Sequence, residues 1–446
     1  MNAPLQADTA PRYTSYPTAP HFHPGIDAAA VEGWISAIPR GERLSLYIHV
    51  PFCDRLCWFC ACHTKQTRHY KPVATFLEAL HREIRTVADK VGDRARVAAL
   101  HFGGGSPTLV APDDMRALMA ALRASFDFLP DASISVEIDP NDMDEGRLDA
   151  LAGIGMTRAS LGIQDFEEKV QKAINRDQSF EDTKAVIDGL RARGVASVNL
   201  DILYGLPHQT QQSVVATVGK VLSLRPERIA LFGYAHVPWF KKHQTMIDEA
   251  ALPGTAERLA QSLAAAEAIV AAGYEAIGLD HFALPGDSLQ RAAASGELKR
   301  NFQGYTDDGC ETLIGLGPSS VSRYRQGYAQ NITATGEYER RVKEGGLAIA
   351  RGIALSDDDR LRAWVIERLM CDFSFSAAEA ASRFGQAAGP VLAEAAVIAA
   401  EKPEAALVRR GDLFVVPEAK KPLVRLVAAR FDGYLAKGTA RHSAAV

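Results

Sequence analysis

Through the first two-thirds of the chain, short runs of β-branched and apolar residues alternate with longer segments whose apolar positions recur every three or four residues. The runs are Leu44–Val50, Ala98–Phe102, Ile134–Ile138, Arg158–Ile163, Val198–Tyr204 and Arg228–Tyr234. The longer segments include Val73–Val91, Asp113–Phe126, Glu181–Arg193, Gln212–Leu222 and Thr255–Ala272. A short run of this kind predicts a strand, and the longer period an amphipathic helix. Pro112-Asp113-Asp114 and Ser179-Phe180-Glu181-Asp182 mark helix starts, and Gly153, Gly194 and Gly273 mark ends. Six β–α units in succession imply an α/β fold with a parallel sheet, because each crossover helix returns the chain to the same end.

The polar residues at the strand ends favour a full or partial (β/α) barrel over an open sheet. Cysteines follow the first run, Gly103-Gly104-Gly105-Ser106 the second, and Glu137 and Asp139 end the third. Gln164 ends the fourth, Asp201 lies in the fifth, and Ala235-His236 end the sixth. A barrel brings all of these to one mouth, whereas an open sheet uses only the crevice at its switch point. Beyond residue 273 the pattern predicts strands at Tyr274–Gly278 and Leu313–Ser322, then an alanine- and leucine-rich helical region with a short strand near Leu413–Val416. The expected organisation is an N-terminal arm near the mouth (1–40), the barrel (41–273), an extension that covers the substrate (274–350) and a smaller helical domain (351–446).

Composition narrows the function. Lys and Arg total 50 against 54 Asp and Glu, a net charge of -4, so nothing points to a nucleic-acid or bilayer surface. The first twenty residues lack the charged and apolar regions of a secretory signal, and no long apolar run follows. A cytoplasmic protein without membrane insertion is expected. Of six cysteines, Cys53, Cys57, Cys60 and Cys62 fall within one short segment, while Cys310 and Cys371 stand alone. A tight cluster in a reducing compartment reads as metal or redox chemistry.

Cys53, Cys57 and Cys60 form C-x3-C-x2-C directly after a strand. Soft thiolates select zinc, Cu(I) or iron–sulfur clusters. Structural zinc takes four ligands, usually as separated pairs, and no distant pair exists here. Three thiolates on a four-iron cluster would leave one iron open to the amine and carboxylate of a small molecule; zinc or buried thiols remain the alternative. Cys62 reads as a nearby thiol that does not ligate. The glycine run can approach a ligand closely. Glu137 and Asp139 alternate across one strand, with Glu137 expected to be functional and Asp139 structural. Arg176 at the mouth could pair bidentately with a carboxylate. Tyr47 and His49 share a strand face beside the cysteines.

The chain resembles the oxygen-independent coproporphyrinogen III oxidases of the radical S-adenosylmethionine superfamily. The resemblance rests on Pro11-Arg-Tyr-Thr-Ser-Tyr-Pro-Thr-Ala19, Tyr47-Ile-His-Val-Pro-Phe-Cys53 with the cysteine run, and His101-Phe-Gly-Gly-Gly-Ser-Pro-Thr108. Further marks are Leu161-Gly-Ile-Gln-Asp165, Ile174-Asn-Arg176, Asp201-Ile-Leu-Tyr-Gly-Leu-Pro207, Asp280-His-Phe-Ala-Leu-Pro285, Asn301-Phe-Gln-Gly-Tyr305 and Gly315-Leu-Gly317. Ser106 and Ala61 depart from the usual threonine and glycine.

The resemblance implies a partial (β/α) barrel with a smaller helical C-terminal domain, a [4Fe–4S] cluster on Cys53, Cys57 and Cys60, and two S-adenosylmethionine molecules. Tyr47, Gly104, Glu137 and Val321 would contact the cluster-bound cofactor. Phe59, Gly105, Ser106, Gln164, Arg176, Asp201 and Ala235 would contact the second. Tyr47, His49 and Gln303 would be the catalytic residues. The implied reaction is decarboxylation of two propionates of coproporphyrinogen III, by a monomer served by an electron donor such as flavodoxin or ferredoxin. Four substrate carboxylates predict basic groups at the mouth; Arg12, Arg176, His49 and the Lys241-Lys242-His243 run are candidates, the last being otherwise a solvated loop. The alternative is a haem carrier of the same superfamily. Such carriers generally lack Cys62 and the Pro11–Pro17 segment, and both are present here.

Overall fold

A computed structural model describes residues 10–401 and 406–435, so the start of the arm and the chain's last residues lie outside the described residues. The six predicted runs form β1 (Glu42–Val50), β2 (Ala95–Gly104), β3 (Phe128–Ile138), β4 (Arg158–Gln164), β5 (Ser197–Tyr204) and β6 (Arg228–Gly233), each parallel to the next. Later strands are β7 (Glu275–Ile277), β8 (His281–Ala283), β9 (Thr312–Leu316), β10 (Val321–Tyr324), β11 (Gly327–Asn331) and β12 (Ile349–Ala354). β9 joins the free edge of β1 in parallel, and β10, β11 and β12 continue antiparallel; β8 and β7 extend the other edge beyond β6. The ladder of twelve strands is not closed.

One loop shows how strongly the sheet curls. Asp308 accepts from Ser45 of β1, while its neighbour Asp307 pairs with Arg158 of β4 and lies 3.5 Å from Arg228 of β6. In a flat sheet β1 and β6 would stand about 24 Å apart. Two adjacent carboxylates reach both because the strands wrap around them; Arg158 and Arg228 open their strands, and Ser45 lies in the first half of β1. The result is a partial barrel plugged at that end.

Alternation along the strands sorts the two faces. Leu44, Leu46 and Ile48, Leu100 and Phe102, Ile134 and Val136, Leu161 and Ile163, and Leu200 and Ile202 all belong to one buried cluster against the outer helices. The intervening residues are polar: Ser45, Tyr47 and His49, then His101, then Ser135 and Glu137, then Ser160, then Asn199 and Asp201. The lumen is therefore a polar cavity rather than an apolar core. The outer layer is α1 (Lys71–Val91), α2 (Pro112–Ser125), α3 (Glu145–Gly153), α4 (Phe180–Ala192), α5 (Gln211–Ser223) and α6 (Thr255–Ala271). Burial of each large apolar side chain of these helices contributes about 1.5–3 kcal/mol.

Three details differ from the sequence pattern. α3 was marked only by its terminal Gly153; its start is capped by Asp144, whose carboxylate accepts from the Arg147 amide at 2.8 Å. β3 begins at Phe128 because Pro130 and Asp131 hide an edge segment that pairs with β2 across a register shift. The single strand expected over 313–322 is two, β9 and β10, reversed by a turn in which the Ser320 hydroxyl donates to the Gly317 carbonyl at 2.7 Å.

Glu83 of α1 is 4% exposed and locks the extension to the barrel. Its carboxylate accepts from the Gly317 amide (2.7 Å), the Asn331 amide (2.7 Å) and the Tyr338 hydroxyl (2.6 Å). Burial pushes it up to about 6 against these hydrogen bonds. Glu83→Ala leaves three buried donors unsatisfied, and a loss of about 3 kcal/mol is expected in chemical denaturation; an unchanged midpoint would contradict the lock.

The C-terminal helices Asp357–Asp372, Ala388–Ala400 and Val424–Ala429 pack with a three-stranded sheet around their own core. Tyr13 and Tyr16 of the arm belong to that core, while Arg12 donates to the Gly233 carbonyl at the end of β6 at 2.7 Å. The arm thus ties these helices to the barrel mouth. Among the described residues, no helix is long and apolar enough to cross a membrane.

Candidate functional site

The cysteine loop leaves β1 through buried Phe52 and returns where Phe52–Cys53 pairs with Lys65–Gln66. Its shape is imposed from outside. Asn175 donates to the Leu56 carbonyl at 2.9 Å, and the Trp58 amide to the Ile174 carbonyl at 2.9 Å. From the segment after β6, Gln244 donates to Phe59 O (2.9 Å), His243 to Cys60 O (2.7 Å) and Lys241 to Cys62 O (2.9 Å). Lys241 and His243 are therefore part of the loop's frame rather than a solvated stretch. Sequence reading met Asn175 only within the Ile174-Asn-Arg176 mark, without a role, and missed Gln244 altogether; short polar side chains on distant loops carry no local signal.

All six cysteines are free. Each thiol of the triad has a hydrogen-bonding group at its sulfur: the Thr64 hydroxyl at 3.1 Å from Cys53, the Arg176 guanidinium at 3.6 Å from Cys57, and the Cys62 amide at 3.4 Å from Cys60. Among the described residues, no three His, Cys, Asp or Glu side chains converge to hold a single metal ion. Three free thiols on one loop, each met by such a group, suit an iron–sulfur cluster held by three thiolates.

The glycine run lies against the start of this loop. The Gly105 and Ser106 amides donate to the Val50 and Phe52 carbonyls, both at 2.7 Å. A Cβ at Gly105 would collide with the Phe52 carbonyl oxygen. Gly104 has φ +113° and its amide donates to Glu137 at 3.0 Å; a Cβ there would sit 2.7 Å from the His49 ring. Only glycine meets both demands.

A polar relay fills the adjoining lumen. His101 contacts Glu137 at 3.1 Å and Ser135 at 2.6 Å, and the Tyr47 ring stacks on it. Burial drives His49 down to about 4 and pushes the Tyr47 hydroxyl well up, so both are neutral. The Tyr47 hydroxyl accordingly donates to His49 Nδ1 at 3.0 Å, and His49 Nε2 donates to the His63 carbonyl at 2.8 Å. Burial raises Glu137, but the bonds from His101 and Gly104 outweigh it and hold the carboxyl below its ordinary value. Asp201, across the lumen, is pushed up to about 6 by burial, with the Glu137 charge adding to the shift. Two facing carboxylates make this a place that favours a cation.

Arg176 is 7% exposed. It forks onto Asp139 at 3.1 and 3.3 Å and also donates to Gly162 O at 2.7 Å, Gln178 at 3.0 Å and the Cys57 sulfur. Asp139 in addition caps the following turn through the Asn141 amide at 3.2 Å.

The radical SAM superfamily pattern matches residues 47–221. An oxygen-independent coproporphyrinogen III oxidase of Paracoccus denitrificans is 48% identical, covering 98% of this chain and 96% of that one. One from Bradyrhizobium diazoefficiens is also 48% identical, over 98% and 97%. The solved coproporphyrinogen III oxidase of Escherichia coli, described as a radical SAM enzyme, superposes with TM-score 0.91 at 37% identity, covering 95% of this chain and 98% of that one. The chain belongs to the oxygen-independent coproporphyrinogen III oxidase family. A [4Fe–4S] cluster and S-adenosylmethionine are the cofactors of this radical SAM fold, and the thiol set suits the cluster.

The other residues expected at the site of a coproporphyrinogen III oxidase are placed as follows. Ser106 is buried, donating to Asp142 at 2.7 Å. Gln164 ends β4 at φ +65°, and the Ala235 carbonyl accepts from Gln244 at 3.1 Å. Phe59 packs on an apolar cluster with Val170, Ile174 and Tyr234. Val321 opens β10, half-buried. Gln303 stands apart: exposed, at the tip of the Lys299–Asn301/Gly304–Thr306 hairpin, it lines a cavity of about 740 Å³ with His101, Ser135 and Arg158. His49, Cys53, Cys57 and Cys60 do not line that cavity, although Cys310 does.

Proposed function

We propose that the protein converts two propionate side chains of coproporphyrinogen III to vinyl groups without oxygen, giving protoporphyrinogen IX for haem synthesis. The observation that carries this is near-complete alignment with named oxidases at 48% identity, together with a three-thiol loop built for a cluster. When bound, the cluster and S-adenosylmethionine supply a 5′-deoxyadenosyl radical that takes hydrogen from the propionate β-carbon, before loss of an electron and CO2.

The chain's own residues bind and orient. Cys53, Cys57 and Cys60 hold the cluster, and Cys62 lends its amide to the Cys60 sulfur. Tyr47, Gly104, Glu137 and Val321 receive the cofactor on the cluster, with the Glu137 carboxylate drawing its cationic end. Phe59, Gly105, Ser106, Gln164, Arg176, Asp201 and Ala235 serve a second S-adenosylmethionine. Neutral His49 accepts a hydrogen bond from Tyr47 at Nδ1 and attends the reacting groups, while Gln303 belongs to the neighbouring cavity. The barrel of residues 41–273 carries this chemistry, 274–350 extends and covers it, and the arm and 351–446 close the mouth. The protein works as a cytoplasmic monomer that draws electrons from a carrier protein such as flavodoxin or ferredoxin. A haem carrier is not favoured, since the relatives at this identity are named oxidases.

Anaerobic turnover of reconstituted protein with dithionite, S-adenosylmethionine and coproporphyrinogen III tests the reading. Protoporphyrinogen and CO2 are expected. 5′-Deoxyadenosine without product would leave radical chemistry standing and reject the substrate.

A further inference from the structure

The cysteine loop reaches the surface, for Ala61 and Cys62 are exposed, and large apolar side chains are exposed beside it. Phe240 is 73% exposed, Trp239 51% and Met246 57%. They belong to the same segment whose Lys241, His243 and Gln244 hold the loop's carbonyls. Lys241 Nζ lies 5.1 Å from the Phe240 ring centroid and 2.9 Å from the Cys62 carbonyl oxygen, so the exposed ring is one residue contact from the loop.

Charge around these rings is in basic excess, with Glu339 beside Lys65 and Lys71, and Asp248 and Glu249 following Met246. Residues 55–77 hold Arg55, Lys65, Arg68 and Lys71 and no acid, in a chain of net charge -4. Lys65, Arg68, Lys71 and Lys242 are exposed. Lys65 and Lys241 both act electrostatically on His63, so the basic run after the cysteines meets the one after β6. Glu249 is engaged by His236 at 3.0 Å. Exposed aromatics beside an excess of basic groups form an anchor with a steering rim, the composition of a transient protein interface.

We propose that this surface docks an acidic one-electron carrier protein, which passes its electron through the cysteine loop. The inference rests on the radical reading of the function. In the step, the carrier is oxidised by one electron and the cluster reduced by one, with no bond formed between the proteins. Small interfaces of this kind are expected to be weak and salt-sensitive.

The test uses oxidised flavodoxin as probe, titrated calorimetrically onto anaerobically reconstituted holoprotein. Saturable binding that weakens with added salt is expected. The double variant Phe240→Ser/Arg68→Glu, and separately Lys71→Glu, should weaken it, the double variant by about tenfold or more, while dithionite-driven formation of 5′-deoxyadenosine stays at the wild-type level. Absence of wild-type binding, or equal binding by the double variant, overturns the proposal. Loss of dithionite-driven cleavage in the double variant also overturns it, since the patch would then serve the cofactor or substrate. If wild-type protein cleaves nothing with dithionite, the radical reading fails, and the flavodoxin titration still decides the docking surface.

Discussion

Cys57→Ser is expected to fold, to assemble no [4Fe–4S] cluster and to cleave no S-adenosylmethionine. Cys57 lies half-exposed on a loop outside the buried core, and that loop is held mostly through its backbone carbonyls. Serine leaves those bonds intact, so the melting transition should stay close to wild type. The hydroxyl is a hard donor with a far higher pKa than a thiol and is a poor iron ligand. With only Cys53 and Cys60 remaining, two thiolates are too few for a cluster that keeps one iron open. Iron and sulfide content per chain, visible absorbance and 5′-deoxyadenosine yield are the measurements. Wild-type iron content and cleavage would reject Cys57 as a ligand.

Arg176→Ala should be the most damaging change outside the thiols. The guanidinium satisfies Asp139, the Gly162 carbonyl, Gln178 and the Cys57 sulfur from one buried position. Removal leaves Asp139 without its ion-pair partner, a loss of about 3–5 kcal/mol for a buried pair. It also withdraws a donor from the Cys57 sulfur, and changes of that kind cost about 10- to 100-fold in metal affinity or activity. The expected result is reduced iron content together with a larger fall in decarboxylation than in loading. Arg176→Lys keeps the charge but cannot fork across Asp139 and Gly162, so it should restore stability more than activity. Iron per chain, denaturation midpoint and product rate together separate these effects; wild-type values in all three would refute the assignment.

Much of the fold was legible along the chain. All six strand runs became parallel neighbours in chain order, because the apolar positions of a strand that packs against a crossover helix are set by its immediate neighbours. The polar lumen was also readable in principle: Ser45, Tyr47 and His49 alternate with Leu44, Leu46 and Ile48, and Ser135 and Glu137 with Ile134 and Val136. Followed across the strands, that alternation would have found His101, Ser160 and Asn199. The edge strands were less legible, since β7 and β8 are three residues long and the β9–β10 reversal is held by side chains from Ser320, Asn331 and Glu83 that meet at Gly317.

The sequence by itself determined the β–α order, the three-thiol spacing and the glycine run, all of which are consequences of covalent neighbours: period, ligand spacing and the lack of a Cβ. Tertiary structure alone decided that Asp307 and Asp308 plug the barrel, that Asp139 is the carboxylate Arg176 takes, and that Asn175, Lys241, His243 and Gln244 grip the cysteine loop. These partners are far apart in the chain. Their meeting depends on the curl of the sheet and on the path of whole loops, which no local pattern encodes.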